Sequence, residues 1–313
     1  MNRPFKIIFM GTPDFAVPSL KAAGECNCVV DLVITQPDRP KGRGRRVEPP
    51  PVKLDAEKLG YEVMQPEAVN TPEFFDILQK RRPDLSVVVA FGHILPKKIL
   101  EIPELASINL HASLLPAYRG PAPIQWAIIN GETETGVTSM LMDKGLDTGE
   151  MLLWEKVAIE PDDTAGTLHD KLSITAARVL IKTIAGFESG DIRPIPQNHA
   201  NATYAPLLKK SDGRIDWSKP ASVIERFIRG MNPWPGAYTF MGEKRLKVFS
   251  SRVCDLTEDR PPGTVIRSFD NELRVACGEK ALCILELQLD SGKRMDIEQF
   301  LKGRKISPEM NFT

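Results

Sequence analysis

The chain has 313 residues, of which 42% are hydrophobic and 26% are charged, and its formal net charge is zero. This composition is ordinary for a globular protein, and the length provides a full hydrophobic core in one large domain or in two. No apolar run reaches the roughly 18 residues of a membrane span, so we expect neither a membrane-spanning helix nor membrane association.

The first two thirds of the chain alternate apolar segments with helical patterns. Strands are predicted at 5–10, 29–34, 84–90, 105–111, 138–142 and 151–157, and helices up to about Gly24 and over 52–59, 72–82, 123–130 and 164–188. Such alternation predicts βαβ units and an α/β fold with a Rossmann-like, mostly parallel sheet. The uninterrupted apolar run at 87–89 indicates a sheet that is covered on both faces.

A stretch rich in proline and asparagine, without clear periodicity, follows the last of these helices. Beyond it, one helix near 220–230 precedes five short strands, predicted at 237–241, 245–252, 263–268, 272–277 and 281–288. Five short strands in about 80 residues suit a small OB-like β-barrel of the kind that binds oligonucleotides. We therefore expect an α/β domain over 1–189, a linker over 190–209 and an OB-like domain over 210–313.

Basic side chains are concentrated in one segment, since residues 36–53 hold six of them against two acidic ones. Such a run is commonly a solvated loop. Here glycines alternate with arginines, so a flexible backbone presents guanidinium groups that suit the phosphates at the end of a nucleic acid. The candidate nucleic-acid contacts are Arg39, Lys41, Arg43, Arg45 and Arg46.

Two common kinds of site are not indicated. Gly11-Thr12-Pro13 follows the first strand but lacks the G-x-G-x-x-G spacing, and Pro13 removes a backbone donor, which disfavours a dinucleotide site. The five cysteines form no C-x-x-C pair and the four histidines are scattered, so we expect no metal.

An odd number of cysteines and the absence of a signal peptide predict a cytoplasmic protein.

The richest chemistry lies at the end of the strand that contains Asn109 and His111. Strand alternation places both side chains on one face, where an amide and an imidazole can polarise a carbonyl and move a proton. Alone, such a pair is more often a satisfied polar contact that closes a strand. Asp147, in Gly145-Leu-Asp147-Thr-Gly149, can orient His111 and completes an amide, imidazole and carboxylate set.

Asn109-x-His111-x-Ser113-Leu-Leu-Pro116-x-x-x-Gly120, together with the Asp147 segment, resembles the folate-dependent formyltransferases. Phe9-Met-Gly-Thr-Pro-Asp-Phe15, Thr35-Gln-Pro-Asp-Arg-Pro-x-Gly-Arg-Gly44 and Asn232-Pro-Trp-Pro235 resemble the branch of that family that formylates methionyl-tRNA. The likeness runs through nearly the whole chain.

This resemblance implies that 10-formyltetrahydrofolate donates a formyl group to the α-amino group of methionine on initiator tRNA, as a step in translation initiation. It implies that Asn109, His111 and Asp147 are catalytic. It also implies that Ser113, Leu114, Leu115 and Pro116 line the folate site, together with the backbone from Ala90 to Pro96. The basic segment and the C-terminal domain would bind the tRNA, and we expect a monomer.

Two alternatives remain open from the sequence. One is a formyltransferase that acts on a small nucleotide or sugar amine, because the Asn109 motif is shared with such enzymes. The other is a nucleic-acid-binding protein whose N-terminal domain is catalytically silent.

Overall fold

The structure is a computed structural model that describes residues 3–41, 46–255, 260–269, 271–290, 292–304, 306–307 and 310–313. The chain forms two compact units. Unit 1 comprises Met1–Pro123, Glu134–Ala158 and His169–Ala205, and unit 2 comprises Ile124–Thr133, Ile159–Leu168 and Pro206–Thr313. In the described part of the chain, no helix is both long and apolar enough to cross a membrane.

Unit 1 contains a seven-stranded sheet and a separate two-stranded hairpin. Its strands are β1 (Phe5–Gly11), β2 (Cys28–Ile34), β3 (Arg39–Lys41), β4 (Arg46–Glu48), β5 (Val63–Met64), β6 (Leu85–Val89), β7 (Ala106–His111), β8 (Glu134–Leu141) and β9 (Met151–Ala158). The order in the sheet is β5-β2-β1-β6-β7-β8-β9. The first five strands in this order, β5, β2, β1, β6 and β7, are parallel to one another. Strand β8 is antiparallel to β7, and β9 is antiparallel to β8. The predicted mostly parallel α/β sheet is confirmed.

Helices connect these strands. They are α1 (Val17–Glu25), α2 (Pro51–Lys58), α3 (Pro72–Arg81), α4 (Lys97–Leu100), α5 (Pro123–Ile129) and α6 (Ala165–Ser189), with 3-10 turns at Asp14–Ala16 and His199–Asn201. Local sequence sets their ends: α3 begins where the Thr71 hydroxyl accepts a hydrogen bond from the Phe74 N–H, just before a proline in the first turn. Every residue of β6 is buried, which confirms a sheet covered on both faces at its centre.

Among its described residues, unit 2 contains an antiparallel sheet of six strands. Its elements are a 3-10 turn (Lys210–Gly213), α7 (Ala221–Met231), β10 (Ala237–Met241), β11 (Lys244–Cys254), β12 (Val265–Phe269), β13 (Glu272–Ala276), β14 (Ala281–Leu289), β15 (Met295–Asp296) and α8 (Ile297–Gly303). The order is β10-β11-β14-β13-β12, with β15 also paired to β14. All these pairs are antiparallel.

The two edges of this sheet are linked by the last residues of the chain. The Phe240 N–H on β10 donates to the Thr313 carbonyl, and the Val265 N–H on β12 donates to the Met310 carbonyl. One short segment thus satisfies backbone groups on both edge strands, which a barrel must do to avoid open edges. The prediction of an OB-like β-domain after the α/β domain is confirmed, as an antiparallel sheet that curls.

Candidate active site

The site is built at the carboxyl end of β7. This strand pairs in parallel with β6 and antiparallel with β8, where His111 lies opposite Thr138. The Thr138 hydroxyl donates to the Ser113 carbonyl at 2.7 Å and accepts from the Leu115 N–H at 3.2 Å. One threonine on β8 therefore fixes the direction in which the chain leaves β7.

The two ring nitrogens of His111 have different surroundings. Nε2 lies 2.8 Å from the Tyr118 carbonyl oxygen, and Nδ1 lies 3.7 Å from Oδ2 of Asp147. A carbonyl can only accept a hydrogen bond, so Nε2 carries a proton and donates it. Nδ1 is consequently the ring atom that can exchange a proton or donate to a substrate. The side chain of His111 is 7% exposed.

Asp147 lies in the loop between β8 and β9, in a left-handed backbone conformation with φ of 54°. Its Oδ2 accepts a hydrogen bond of 2.8 Å from the Gly120 N–H, and its side chain is 14% exposed. In the described part of the chain, Oδ1 receives no hydrogen bond. One carboxylate oxygen is therefore held and the other is open to a ligand.

Asn109, two residues before His111, is half-buried. Its side-chain amide makes no hydrogen bond to another described residue. It is therefore a donor free to bind a substrate oxygen, on the same face of β7 as His111. The structure thus brings His111 and Asp147 together, and it places Asn109 on the same face of β7 as His111. The chemistry available to these side chains is donation to an oxygen and acceptance of a proton.

Two further side chains that the sequence patterns did not select reach this site. The Gln197 amide nitrogen donates to the carbonyls of Asp147 and Gly149, and its oxygen accepts from the guanidinium of Arg119. Gln197 lies in the segment predicted as a linker, and Arg119 precedes a glycine in an apparent turn. Neither carries a periodicity or spacing signal that would have identified it.

The turn after β7 contains the four residues predicted to line the folate site. Ser113 is fully buried and its hydroxyl donates to the Ala117 carbonyl at 2.6 Å, while Leu115 is also buried. Leu114 and Pro116 are partly exposed. Only the latter two present side-chain surface to a ligand, and contact of the four residues with folate remains a prediction.

The loop after β6 occupies the adjacent position at the same edge of the parallel sheet. Ala90 and Gly92 have φ of 46° and 81°. The Phe91 carbonyl accepts hydrogen bonds from the Thr12 hydroxyl and the Gln36 amide. These contacts tie the ends of β1, β2 and β6 together, at the edge where open α/β sheets bind ligands.

The predicted nucleic-acid segment begins after β2 and contains the β3–β4 hairpin. Arg39 and Arg46 on this hairpin are exposed, and Lys41 lies at the end of β3. Arg43 and Arg45 lie outside the described residues. A network of Asp38, Gln65 and Lys53 anchors the base of the hairpin, and the hydrogen bonds from Gln65 and then Lys53 hold the pKa of Asp38 below its ordinary value.

Among the residues that the structure describes, no group of three or more histidine, cysteine, aspartate or glutamate side chains is placed to hold a metal ion. The cysteines at 26, 28, 254, 277 and 283 are free thiols.

Comparison with known proteins matches both parts of the chain to known families. Residues 5–184 match the family model described as formyl transferase, and residues 207–305 match the formyl transferase C-terminal domain. A methionyl-tRNA formyltransferase of Caldanaerobacter subterraneus subsp. tengcongensis is 52% identical over 302 residues, which cover 96% of this chain and 97% of that protein.

Solved structures with a similar fold have low sequence identity. An N-formyltransferase of Helicobacter canadensis, in complex with folinic acid and dTDP-3-aminofucose, has a TM-score of 0.66 at 18% identity, covering 93% of this chain and 100% of that chain. HypX of Aquifex aeolicus, in complex with tetrahydrofolic acid, has a TM-score of 0.62 at 17% identity, covering 97% of this chain and 50% of that chain.

Proposed function

Because this chain belongs to the formyl transferase family, with both the N-terminal and the C-terminal family domains, we propose that it formylates methionyl-initiator tRNA. The formyl group of 10-formyltetrahydrofolate passes to the α-amino group of the methionine, giving N-formylmethionyl-tRNA for translation initiation. A relative of that activity at 52% identity over nearly the full length supports this substrate. The observation that carries the chemistry is the juxtaposition of His111 and Asp147 at the end of β7, beside an Asn109 amide that has no partner among the described residues.

The reaction is an acyl transfer to an amine. The amine nitrogen bonds to the formyl carbon, the bond from that carbon to N10 of the folate breaks, and the carbonyl oxygen carries negative charge in between. Side-chain donors aimed at this oxygen lower the barrier because they are in place before the charge develops. We assign this role to the Asn109 amide and to Nδ1 of His111, since Nε2 is already bound to the Tyr118 carbonyl.

Asp147 accepts the proton that the amine loses. Its Oδ2 is held by Gly120 and faces His111, while Oδ1 is open and can accept that proton, directly or through one water. The proton then passes to N10 as the folate leaves. Asp147 is therefore both the orienting partner of His111 and the base of the reaction.

The two substrates approach this edge of the sheet from recognisable surfaces. The folate lies against the turn after β7, where Leu114 and Pro116 present apolar surface, and against the backbone of residues 90–96. The exposed arginines of the β3–β4 hairpin contact phosphates of the acceptor end, and the β-structure of unit 2 contacts the tRNA backbone. The free thiols are consistent with a reducing cytoplasm, and the enzyme acts as a monomer.

The test is incubation of the purified protein with 10-formyltetrahydrofolate and either methionyl-initiator tRNA or a panel of nucleotide and sugar amines. We expect N-formylmethionyl-tRNA from the first mixture and no formylated product from the second. Formylation of a small amine with no product on the tRNA would replace the proposed substrate, and binding of tRNA without any transfer would show a silent catalytic domain.

A further inference from the structure

The loop that carries Asp147 is fixed from two sides. On its exposed side, the Asp143 carboxylate accepts hydrogen bonds from the Gly145 N–H at 2.9 Å and from the Thr148 hydroxyl at 2.7 Å. On its buried side, the Gln197 amide nitrogen donates to the Asp147 carbonyl at 2.9 Å and to the Gly149 carbonyl at 2.6 Å. Gln197 thus holds the backbone of Asp147, whose left-handed conformation directs its carboxylate towards His111.

Gln197 is itself oriented by a buried cation. The guanidinium of Arg119 donates to the Gln197 side-chain oxygen at 3.1 Å from Nε and 2.7 Å from Nη2, and Nη2 also lies 3.2 Å from Nδ1 of His199. Arg119 is 2% exposed and Gln197 is 6% exposed. Because the oxygen of Gln197 faces two donors, its nitrogen must face the two carbonyls. Arg119 therefore fixes the Gln197 amide in the orientation that donates to the Asp147 loop.

The same arginine is joined to the site through its own backbone. Its neighbours in the chain are Tyr118, whose carbonyl accepts from His111, and Gly120, whose N–H holds Asp147. The Arg119 N–H donates to the Thr203 carbonyl, and the Arg119 carbonyl accepts from the Ala205 N–H. Both ends of the His111–Asp147 contact thus depend on one short strand-like segment, 118–120, and on the residues from 197 to 205 that pack against it.

We propose that Gln197, oriented by Arg119, is a positioning residue for formyl transfer that holds Asp147 at Nδ1 of His111. It touches neither substrate and acts only through the backbone of the loop. The proposal rests on the proposed function, since its effect is measured on the formyl transfer step. A segment whose sequence predicts a connection between domains thus supports the catalytic loop.

The substitution Gln197→Glu removes the two hydrogen bonds to the loop without changing the size of the side chain. Glutamate has the same shape and keeps its acceptor for Arg119, so the buried cation retains a partner. The other carboxylate oxygen would face the carbonyls of Asp147 and Gly149, which are acceptors that it cannot satisfy and that repel it. Gln197→Met is the second variant, because it removes the two donations without adding a charge.

The experiment measures kcat and both KM values for formyl transfer from 10-formyltetrahydrofolate to methionyl-initiator tRNA. Each Gln197 variant is prepared in the natural chain and in an Asp147→Asn background, and the thermal midpoint establishes that it is folded at the assay temperature. Gln79→Glu and Gln79→Met are the matched controls, since Gln79 lies exposed on α3 and the substitutions change charge and volume by the same amounts.

We expect both Gln197 variants to lower kcat by about 10- to 100-fold, as a displacement of about 1 Å can do, with both KM values within about threefold. In the Asp147→Asn background, neither should lower the remaining rate further, because the group they position is already inactive. The Gln79 controls should match their parent chains.

A kcat within about twofold of the parent chain, a loss confined to KM, or an undiminished effect in the Asp147→Asn background would each overturn the proposal. Failure of the proposed function gives a different result, because the unsubstituted chain would then form no N-formylmethionyl-tRNA.

Discussion

At the scale of single residues, His111 is constrained more than its position in a strand suggests. One ring nitrogen is committed to the Tyr118 carbonyl, and the other faces a carboxylate at 3.7 Å, slightly beyond hydrogen-bond length. In the proposed reaction, that gap lets Nδ1 exchange partners between Asp147 and a substrate oxygen without moving the ring. His111 therefore has a single ring nitrogen that is not bound to a backbone carbonyl, and the backbone of the turn sets its direction.

Replacing His111 by alanine tests this assignment. We expect the single-turnover rate of formyl transfer to fall by about 10²- to 10³-fold, because one donor to the developing oxyanion is removed. The dissociation constant for the folate should stay within about threefold, since no folate contact is assigned to the ring. Fluorescence titration and rapid quench measure the two quantities, and His169→Ala is the histidine control. A near-normal rate in His111→Ala would refute a catalytic role.

Residue types and spacing identified Asn109, His111 and Asp147, because strand alternation and a glycine-flanked aspartate leave a mark in the sequence. Arg119 and Gln197 leave none, since their importance comes from tertiary contacts between segments 78 residues apart. The left-handed backbone of Asp147 is equally hidden, because φ above zero is signalled in sequence by glycine rather than by aspartate. The proximity of His111 and Asp147 was therefore predictable, the contacts that support them were not, and their catalytic role stays a prediction.

At the scale of secondary-structure elements, segments with a clear apolar or amphipathic pattern were predictable, including five-residue strands such as β10, and segments without such a pattern were not. The strands β1, β2, β6 and β7 follow the predicted positions within about two residues. The hairpin of β3 and β4 was expected as an irregular loop, and α8 was missed because its seven residues bury only Ile297 and Phe300. The hairpin and α8 depend on tertiary contacts, so their local sequence pattern is weak.

One contact between elements makes a stability prediction. The Glu155 carboxylate on β9 accepts from Arg178 and Lys182 on α6, and these hydrogen bonds hold its pKa below the ordinary value, with Lys182 the larger cause. For Glu155→Gln, we expect the free energy of unfolding at pH 7 to fall by about 1 kcal/mol, discounted for partial exposure. Urea unfolding measures it.

The pH dependence of that loss has a definite sign. A carboxylate whose pKa is lowered on folding stabilises the protein above its unfolded pKa, and the contribution disappears as the pH falls through the folded pKa. The difference between Glu155→Gln and the natural chain should therefore vanish in acid. Glu134→Gln on β8, which removes an exposed pair with Lys156, is the control and should change little at any pH. A difference that persists below the folded pKa would contradict the electrostatic origin.

At the scale of the whole molecule, a net charge of zero conceals an uneven distribution. The segment 36–53 has four more basic than acidic side chains, and residues 210–313 have three more, so the remainder carries seven excess acidic ones. Two separate parts of the chain therefore carry excess positive charge that can attract a polyanion, while the protein as a whole stays neutral. The folate is small, and in the proposed function it lies against the apolar turn after β7.

This distribution predicts that raised salt weakens the binding of tRNA far more than the binding of folate. Binding of methionyl-initiator tRNA should weaken steeply between about 50 and 200 mM KCl, because each phosphate contact releases counterions, whereas folate affinity should change little. Arg39→Ala with Arg46→Ala should reduce the slope of log Kd against log salt by about one for each phosphate that the hairpin no longer binds. Lys58→Ala with Lys80→Ala is the matched control for charge, and fluorescence anisotropy gives the slopes. An unchanged slope in the arginine variant, or an equal reduction in the lysine control, would show that the hairpin has no specific contact with the tRNA.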